Sequence, residues 1–387
     1  MRRSSCPACG SRALSEIYRL DAIPVQSCVL LDTQDEARSF GRAPLVLAFC
    51  DGCGLVFNTE FVLEHVDYAS TTEESQHFSG TFNAFAKGLA AEIKSLTDLR
   101  GKRVLEVGCG KGDFLQELVR QTGARGLGVD PGFIPERLPG ADGEHIDFIR
   151  AYLNPEQIKE QPDYVICRHT LEHIPEVGAF MADIVQIAGD GAGIFFETPD
   201  VARVLDEGAF WDIYYEHCSY FTLGSHARAF RAAGIGVTKM YLAYEGQYII
   251  MYGQTGDTDT LPGEDDMDKL RELAAAFPEK VSAVREHWRD FVGQRHAAGK
   301  RVAIWGGGSK GVSFLTTDDL GPMVSQVVDI NPFKQGKYVP GTGHQVLAPE
   351  ALKDAPPDTV IVMNPVYLPE IGAQLADMGL SPELVAV

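Results

Sequence analysis

The chain has 387 residues, 45% of them hydrophobic and 23% charged, and a net charge of −20. That length exceeds one compact core, so two or three domains are expected. The acidic balance argues against nucleic acid, whose binders carry a basic face, and no apolar run reaches the roughly 20 residues that span a bilayer. The start, Met1-Arg2-Arg3-Ser4-Ser5-Cys6, lacks an apolar signal segment, so no membrane association and a cytoplasmic location are the default expectations.

Residues 1–70 read as a cysteine-bearing module. Cys6-Pro7-Ala8-Cys9-Gly10 and Cys50-Asp51-Gly52-Cys53-Gly54 are two similar Cys-x-x-Cys knuckles with 40 residues between them. Paired knuckles without a secretory signal point to a metal rather than to disulfides. Cys6, Cys9, Cys50 and Cys53 offer four thiolates, a closed tetrahedral set that suits structural zinc. The glycine after each knuckle is expected to aim backbone N–H groups at thiolate sulfur. Leu45-Val46-Leu47-Ala48-Phe49 supplies a strand into the second knuckle.

Residues 71–255 alternate between strand and helix patterns. Strands are predicted at 103–107, 126–129, 163–167 and 192–197, and helices at 113–121 and 176–187, which makes an α/β doubly wound parallel sheet. Strands at 235–242 and 247–252, around Tyr244-Glu245-Gly246, form a closing hairpin. The first strand runs into Gly108-Cys109-Gly110-Lys111-Gly112, and Asp130 ends the next strand eighteen residues past Gly112. Glycines let a ligand approach the backbone, and an acid at that strand tip can accept from a ribose diol. Strand, turn, helix, strand and acid in register suit an adenosyl group, so Glu106, Gly108, Gly110, Gly112 and Asp130 are cofactor candidates. The Glu-x-Gly-x-Gly-x-Gly form resembles motif I of class I S-adenosylmethionine-dependent methyltransferases. Tyr152 lies where adenine is commonly sandwiched in this fold; core packing would use it equally. Arg168 opens a cofactor-edge loop, Arg168 to His173. Its His169 and His173 stand four apart but have no evident third partner for a metal. Gln76-His77 fits either a lid over the acceptor or a solvated helix face.

The segment Phe210 to Phe221 packs Asp212, Tyr214, Tyr215, Glu216, His217 and Tyr220 into twelve residues without helical amphipathicity. Loops after the C-terminal ends of parallel strands line ligand crevices. His217 there, with a carboxylate and phenols nearby, fits a general base; an aromatic-packed core histidine fits the same pattern.

Residues 256–387 begin with an acidic linker that turns helical, then a helix over 278–298 that opens at Pro278. A second nucleotide-type unit follows. A strand at 301–305 runs into Gly306-Gly307-Gly308-Ser309-Lys310-Gly311, a G-x-G-x-x-G, and Asp329 ends the strand 324–328, again eighteen residues past the last glycine. Residues 360–364 are a later strand of this Rossmann-like unit. The loop fits NAD or an acceptor's diphosphate. Lys310, Lys334 and Lys337 can neutralise a diphosphate; as surface lysines they would do nothing special.

Nearly the full chain resembles the sugar C-methyltransferases of deoxysugar biosynthesis. The resemblance rests on the four-cysteine module, on Asp212-Ile213-Tyr214-Tyr215-Glu216-His217-Cys218-Ser219-Tyr220-Phe221, on Lys310-Gly311, and on the tract Asp329 through Gly341. It implies a zinc-binding domain, a class I methyltransferase domain and a Rossmann-like domain, with S-adenosyl-L-methionine and structural zinc as cofactors. It implies catalysis by a Tyr-x-Glu-His element, here Tyr214, Glu216 and His217. The implied acceptor is a nucleotide-linked keto-deoxysugar or a similar small molecule, methylated on the carbon alpha to its carbonyl. His217 would be the base, Tyr214 an enolate-side donor or proton relay, and Glu216 the orienter of the imidazole or of a substrate hydroxyl. Gln76, His77, Tyr215 and Gln247 join the three lysines as acceptor contacts. Departures stand at Gly110-Lys111-Gly112, Arg168 to His173, Glu245-Gly246-Gln247-Tyr248 and Met363-Asn364, where the family has other residues. Methyl transfer to oxygen or nitrogen, and an NAD-binding fusion enzyme, are the alternatives; monomer and homodimer are both open.

Overall fold

The computed structural model describes residues 2–68, 72–138 and 145–387. The expected boundary at 70/71 lies outside the described residues. Three sheets organise the chain. The first is antiparallel: Leu14–Pro24 pairs with Arg42–Cys50, which pairs with Val56–Asn58. Its fourth strand, Ser219–Tyr220, arrives from far along the chain and pairs with Val56 and Phe57. Leu45 through Cys50 are buried on both sides, so this strand reads as a continuous apolar run.

The second sheet has seven strands. Arg103–Val107 lies centrally, flanked by Arg125–Val129 and then Ile146–Ile149 on one side, and by Tyr164–Arg168 and then Gly193–Pro199 on the other. These five are parallel. Tyr248–Thr255 pairs antiparallel with Gly193–Pro199, and Ile235–Ala243 completes the hairpin at the edge. The expected strands and closing hairpin are therefore present. Ile146–Ile149 was not expected; it is a short, half-exposed edge strand with little apolar signal. Helices Asp113–Thr122 and Val177–Ala188 cover the sheet where the pattern put them. Helix Gly80–Leu96, capped by the Ser79 side chain, packs on the same side as Asp113–Thr122.

The third sheet is parallel, in the order Val346–Leu347, Gln326–Val328, Val302–Trp305, Thr359–Val362 and Glu383–Ala386. The helix leading into it differs from expectation. It does not open at Pro278 but runs unbroken from Met267 to Ala297, with Pro278 inside. Leu270, Ala274, Phe277, Val281, Trp288 and Val292 keep one buried stripe across the proline. Pro278 itself faces solvent, where water can satisfy the carbonyl its missing N–H leaves free. No helix among the described residues is long and apolar enough to cross a membrane.

Candidate active site

One cavity of about 680 Å³ lies where the three sheets meet. Its adenosyl-type end is built by the first glycine turn. Gly110 N–H donates to Asp130 Oδ2 (2.9 Å) and Gly132 N–H to Oδ1 (2.7 Å). A carboxylate has about four acceptor sites, so those left on Asp130 remain for a diol in the cavity it lines. Gly108 has φ +70°, and a Cβ there would run into Thr170. Gly110, at φ +54°, borders open space, with only Glu74 within 4 Å of an added Cβ. Gly112 does not face the cavity: its missing Cβ makes room for the Phe148 ring, so its role is packing. Tyr152 stands at the rim, 58% exposed.

Arg168 lines the cavity but spends its Nε on Glu197 (2.5 Å) and lies over the Phe114 ring. Against burial, which would raise it, Arg168 and His169 hold the Glu197 carboxyl at about 2. Burial pushes Glu106 up to about 8, so it is protonated at neutral pH. Glu106 Oε2 and Arg168 Nη2 are buried without a hydrogen-bond partner. An open glycine, a partly free acid and two orphaned polar atoms fit an adenosyl amino acid here.

The segment 210–221 forms the middle of the cavity. Strand Ser219–Tyr220, pinned to the first sheet, fixes its far end. Phe210 and Ile213 carbonyls accept from the Ser313 hydroxyl of the third domain, which fixes the near end. Tyr214, Glu216 and His217 all line the cavity. Among the described residues, no hydrogen bond reaches the His217 ring. It packs edge-on against Tyr214 (centroids 4.5 Å) and His173 (4.8 Å). Burial, with the nearby His173, pushes its pKa well below the usual range, so the imidazole is neutral.

Tyr214 does not have the donor role expected of it. Its hydroxyl lies 2.9 Å from Asp212 Oδ1. Lys310 and Arg203 hold Asp212 ionised, at about 2, against the burial that would raise it. An ionised carboxylate only accepts, so the Tyr214 proton is committed to Asp212. Glu216 Oε1 accepts from Ser27 N–H (2.9 Å) and from the Ser27 hydroxyl, while Oε2 is buried without a partner. Its carboxylate therefore holds no imidazole and has one oxygen free for a substrate hydroxyl. Ser27 Oγ also reaches Ser309 Oγ (2.7 Å), joining all three domains at this point.

His169 and His173 diverge. His169 turns to Glu197 and Glu172, whose charges, overcoming burial, raise it to about 9. His173 Nδ1 lies 3.1 Å from the Glu216 carbonyl and 3.1 Å from the Tyr68 hydroxyl. A carbonyl only accepts, so Nδ1 carries the proton.

At the acceptor end, Gln247 and Asn364 exchange amide hydrogen bonds (2.9 and 3.0 Å), and Gln247 Oε1 also meets Lys310 Nζ (3.4 Å). Gln76 joins Tyr367 and Tyr248, and His77 lies against Asn83. Two expected contacts are elsewhere. Tyr215 is fully buried away from the cavity, with its hydroxyl on Val62 N–H and Glu60 O. Lys337 sits outside the cavity on Asp32 (2.5 Å). The second glycine loop repeats the first: Gly307 N–H and Asn331 N–H donate to the two oxygens of Asp329. Here, however, Lys334 lies 3.6 Å from the acid and directly over Gly308. The acid that a dinucleotide ribose would need thus faces an ammonium. Asp212, Asn364, Ser27 and Tyr68 were missed as site residues because each meets its partner only across domains or around a turn.

Cys6, Cys9, Cys50 and Cys53 converge, their sulfurs all within 4.8 Å of one another. Cys6–Cys53 and Cys9–Cys50 are each 3.6 Å apart. A tetrahedron with Zn–S of about 2.3 Å has edges of about 3.8 Å, so the four sulfurs fit that ion. The knuckle turns aim backbone N–H groups at sulfur as expected, those of Ala8 and Cys9 at Cys6 and those of Gly52 and Cys53 at Cys50. Gly10 and Gly54, both at positive φ, close these turns by donating their own N–H to the Cys6 and Cys50 carbonyls.

Residues 82–239 match a family model described as a methyltransferase domain, and residues 259–381 match one described as a C-methyltransferase C-terminal domain. The chain is 27% identical over 392 residues to C-methyltransferase NovU of Streptomyces niveus, covering 95% of this chain and 90% of that protein. It is 39% identical over 106 residues to a ubiquinone biosynthesis O-methyltransferase of Hahella chejuensis, covering 26% of this chain and 44% of that protein. Among solved structures, 1,6-didemethyltoxoflavin-N1-methyltransferase of Burkholderia thailandensis aligns with 18% identity over 46% of this chain and 79% of its own, at a TM-score of 0.37.

Proposed function

We propose that this S-adenosylmethionine-dependent methyltransferase, which resembles the sugar C-methyltransferases, methylates the carbon alpha to a carbonyl in a small-molecule acceptor, a nucleotide-linked keto-deoxysugar or a close analogue. The observation that carries this reading is His217, a neutral imidazole in the cavity with no hydrogen-bond partner among the described residues. A group that must take a weakly acidic C–H proton has to be unprotonated and unencumbered. The α-hydrogen passes to His217, and the C–H pair becomes the enolate π bond. Glu216 Oε2 holds an acceptor hydroxyl, with Ser27 fixing the other carboxylate oxygen. Tyr214 and His173 pack edge-on against the imidazole, their ring planes at 75° and 90° to its own.

Bound S-adenosylmethionine supplies the methyl group that the nucleophilic carbon takes. Gly108, Gly110 and Asp130 would hold it, with Tyr152 at the rim and Arg168 and Glu106 beneath. The four cysteines bind structural zinc in this reading.

The test is turnover of candidate keto-sugar nucleotides, followed by mass spectrometry and by deuterium wash-in at the α-carbon. His217→Asn is expected to lower both by about 10²–10⁴-fold while S-adenosylhomocysteine binds as before. Wild-type turnover in that variant, or a product methylated on oxygen or nitrogen, would sink the mechanism.

A further inference from the structure

We propose that Lys310, from the glycine loop of the third domain, is the catalytic electrophile that binds the enolate oxygen. The inference rests on the reading above and names the group that reading lacks. Enolate formation pushes the carbonyl π pair onto oxygen, and that developing charge needs a fixed donor. Tyr214 cannot supply it, because its proton is committed to Asp212. Gln247 gives one amide N–H to Asn364, and the other is a neutral donor that brings no charge to the oxygen.

Among the described residues five lysines and arginines line the cavity, and their placements differ. Lys111 is nearly sealed at the adenosyl end, on Glu74 and the Gly132 carbonyl. Arg168 is bound to Glu197, Arg203 bridges Glu207 and Asp212, and Lys334 lies over the second glycine loop. Arg203 holds Asp212 at Oδ2, whereas Lys310 lies 2.8 Å from Oδ1, the same oxygen that Tyr214 meets, and Tyr214 in turn packs on His217. Its side chain is 22% exposed, against 3% for Lys111, 7% for Arg168, 18% for Arg203 and 12% for Lys334.

An ammonium has three N–H donors. On Lys310 one points between the two Asp212 oxygens (2.8 and 2.9 Å) and one to Gln247 Oε1 (3.4 Å), which leaves the third for the acceptor. Burial lowers the lysine's pKa, and the Asp212 carboxylate beside it opposes the shift. The base and the electrophile thus come from different domains, with Asp212 and Tyr214 as the fixed spacer between them. In the step, the C–H bond breaks toward His217 and the carbonyl oxygen takes the electron pair. Lys310 keeps its proton and donates a charge-assisted hydrogen bond to that oxygen. Lining the third domain up with the second therefore assembles the catalytic pair, a role beyond holding a nucleotide.

The experiment uses the full chain saturated with S-adenosylhomocysteine, so that no methyl transfer occurs, and a nucleoside-diphosphate 4-keto-6-deoxyhexose as probe in D₂O. Lys310→Met is expected to slow α-deuterium wash-in by about 10²-fold or more, with the loss in kcat and the probe's KM little changed. S-adenosylhomocysteine affinity serves as the folding control. Exchange within about threefold of wild type overturns the assignment. Should Lys310→Met lose S-adenosylhomocysteine binding, Lys310→Gln replaces it, since it keeps a hydrogen bond to Asp212 but not the charge. Exchange at least about tenfold slower then supports the role, and wild-type exchange removes it. A wild-type enzyme that neither exchanges the probe's α-hydrogen nor, with S-adenosylmethionine in place of S-adenosylhomocysteine, methylates it refutes the C-methylation reading itself, and the Lys310 assignment goes with it. Wild-type exchange with an unimpaired Lys310 variant refutes Lys310 alone.

Discussion

Burial and the neighbouring His173 decide the pH at which His217 stops being a base. Its neutral form is the favoured one, so the base is lost only as pH falls through a pKa well below the ordinary value of about 6.5. The expected kcat/KM profile is therefore flat through the usual histidine range, with its acid limb below it. An acid limb at an ordinary histidine position would place His217 in water, not in this cavity. Glu106 has the opposite sign. Its folded pKa, about 8, lies above the usual 4.5, so between these values the unfolded chain releases a proton that the fold keeps. Stability then falls as pH rises across that window. Glu106→Gln removes the titration, so the unfolding free energy measured without ligand should fall less between about pH 5 and pH 7.5 than in the wild type, by on the order of 3 kcal/mol. Parallel pH dependences would refute the account. Asp130 and His217 were legible in the sequence because strand ends and loops of this fold have known exposures. Tyr215 was not, since neighbours in an irregular segment point wherever the turns send them. Gly112 and Lys337 fail for a related reason: motif spacing locates a backbone position, not what packs against it.

The elements were easier to read than the side chains. Arg103–Val107, Arg125–Val129 and Tyr164–Arg168 are buried parallel strands, and buried strands are continuous apolar runs. Ile146–Ile149 and Ser219–Tyr220 are short and take their strand form from partners far away in sequence, which no local pattern records. The long helix departs from the expected start at Pro278 because proline usually starts a helix, whereas here a buried stripe that runs past the exposed proline overrides it. The first sheet has a consequence for catalysis. The second knuckle leads directly into Val56–Asn58, and that strand holds Ser219–Tyr220, two residues beyond His217. Cys50→Ser should therefore do more than remove a metal. Wild-type protein is expected to carry one zinc per chain by plasma mass spectrometry. The variant should lose it, with Tm lower by on the order of 10 °C and turnover reduced although no cysteine of the set touches the cavity. Full turnover in a zinc-free, folded variant would separate the two sites.

At the scale of the whole molecule, the cavity exists because the third domain is stapled to the second at several points. Asn331 donates to Glu73 (3.0 Å), which also binds Arg137. Asn364 pairs with Gln247, and Tyr367 bonds Tyr244 and Gln76. Glu370 does the most local work. Its carboxylate accepts from the Ser79 and Thr81 hydroxyls (2.8 and 2.7 Å) and from Thr81 N–H (3.3 Å), so it caps helix Gly80–Leu96 from another domain. Those hydrogen bonds outweigh burial and lower its pKa, so the cap is ionised at neutral pH. Carboxylates at helix N-termini stabilise by about 0.5–2 kcal/mol, enough to shift a domain-closure equilibrium by several-fold. Glu370→Ala removes the staple without touching the adenosyl end or the Lys310–Asp212 pair. The acceptor's KM should then rise by about three- to tenfold, while S-adenosylhomocysteine affinity holds. Hydrogen exchange should quicken at residues 80–83. A rise in neither KM nor exchange would mean that the domains are locked by the remaining contacts, and that closure contributes nothing to acceptor binding.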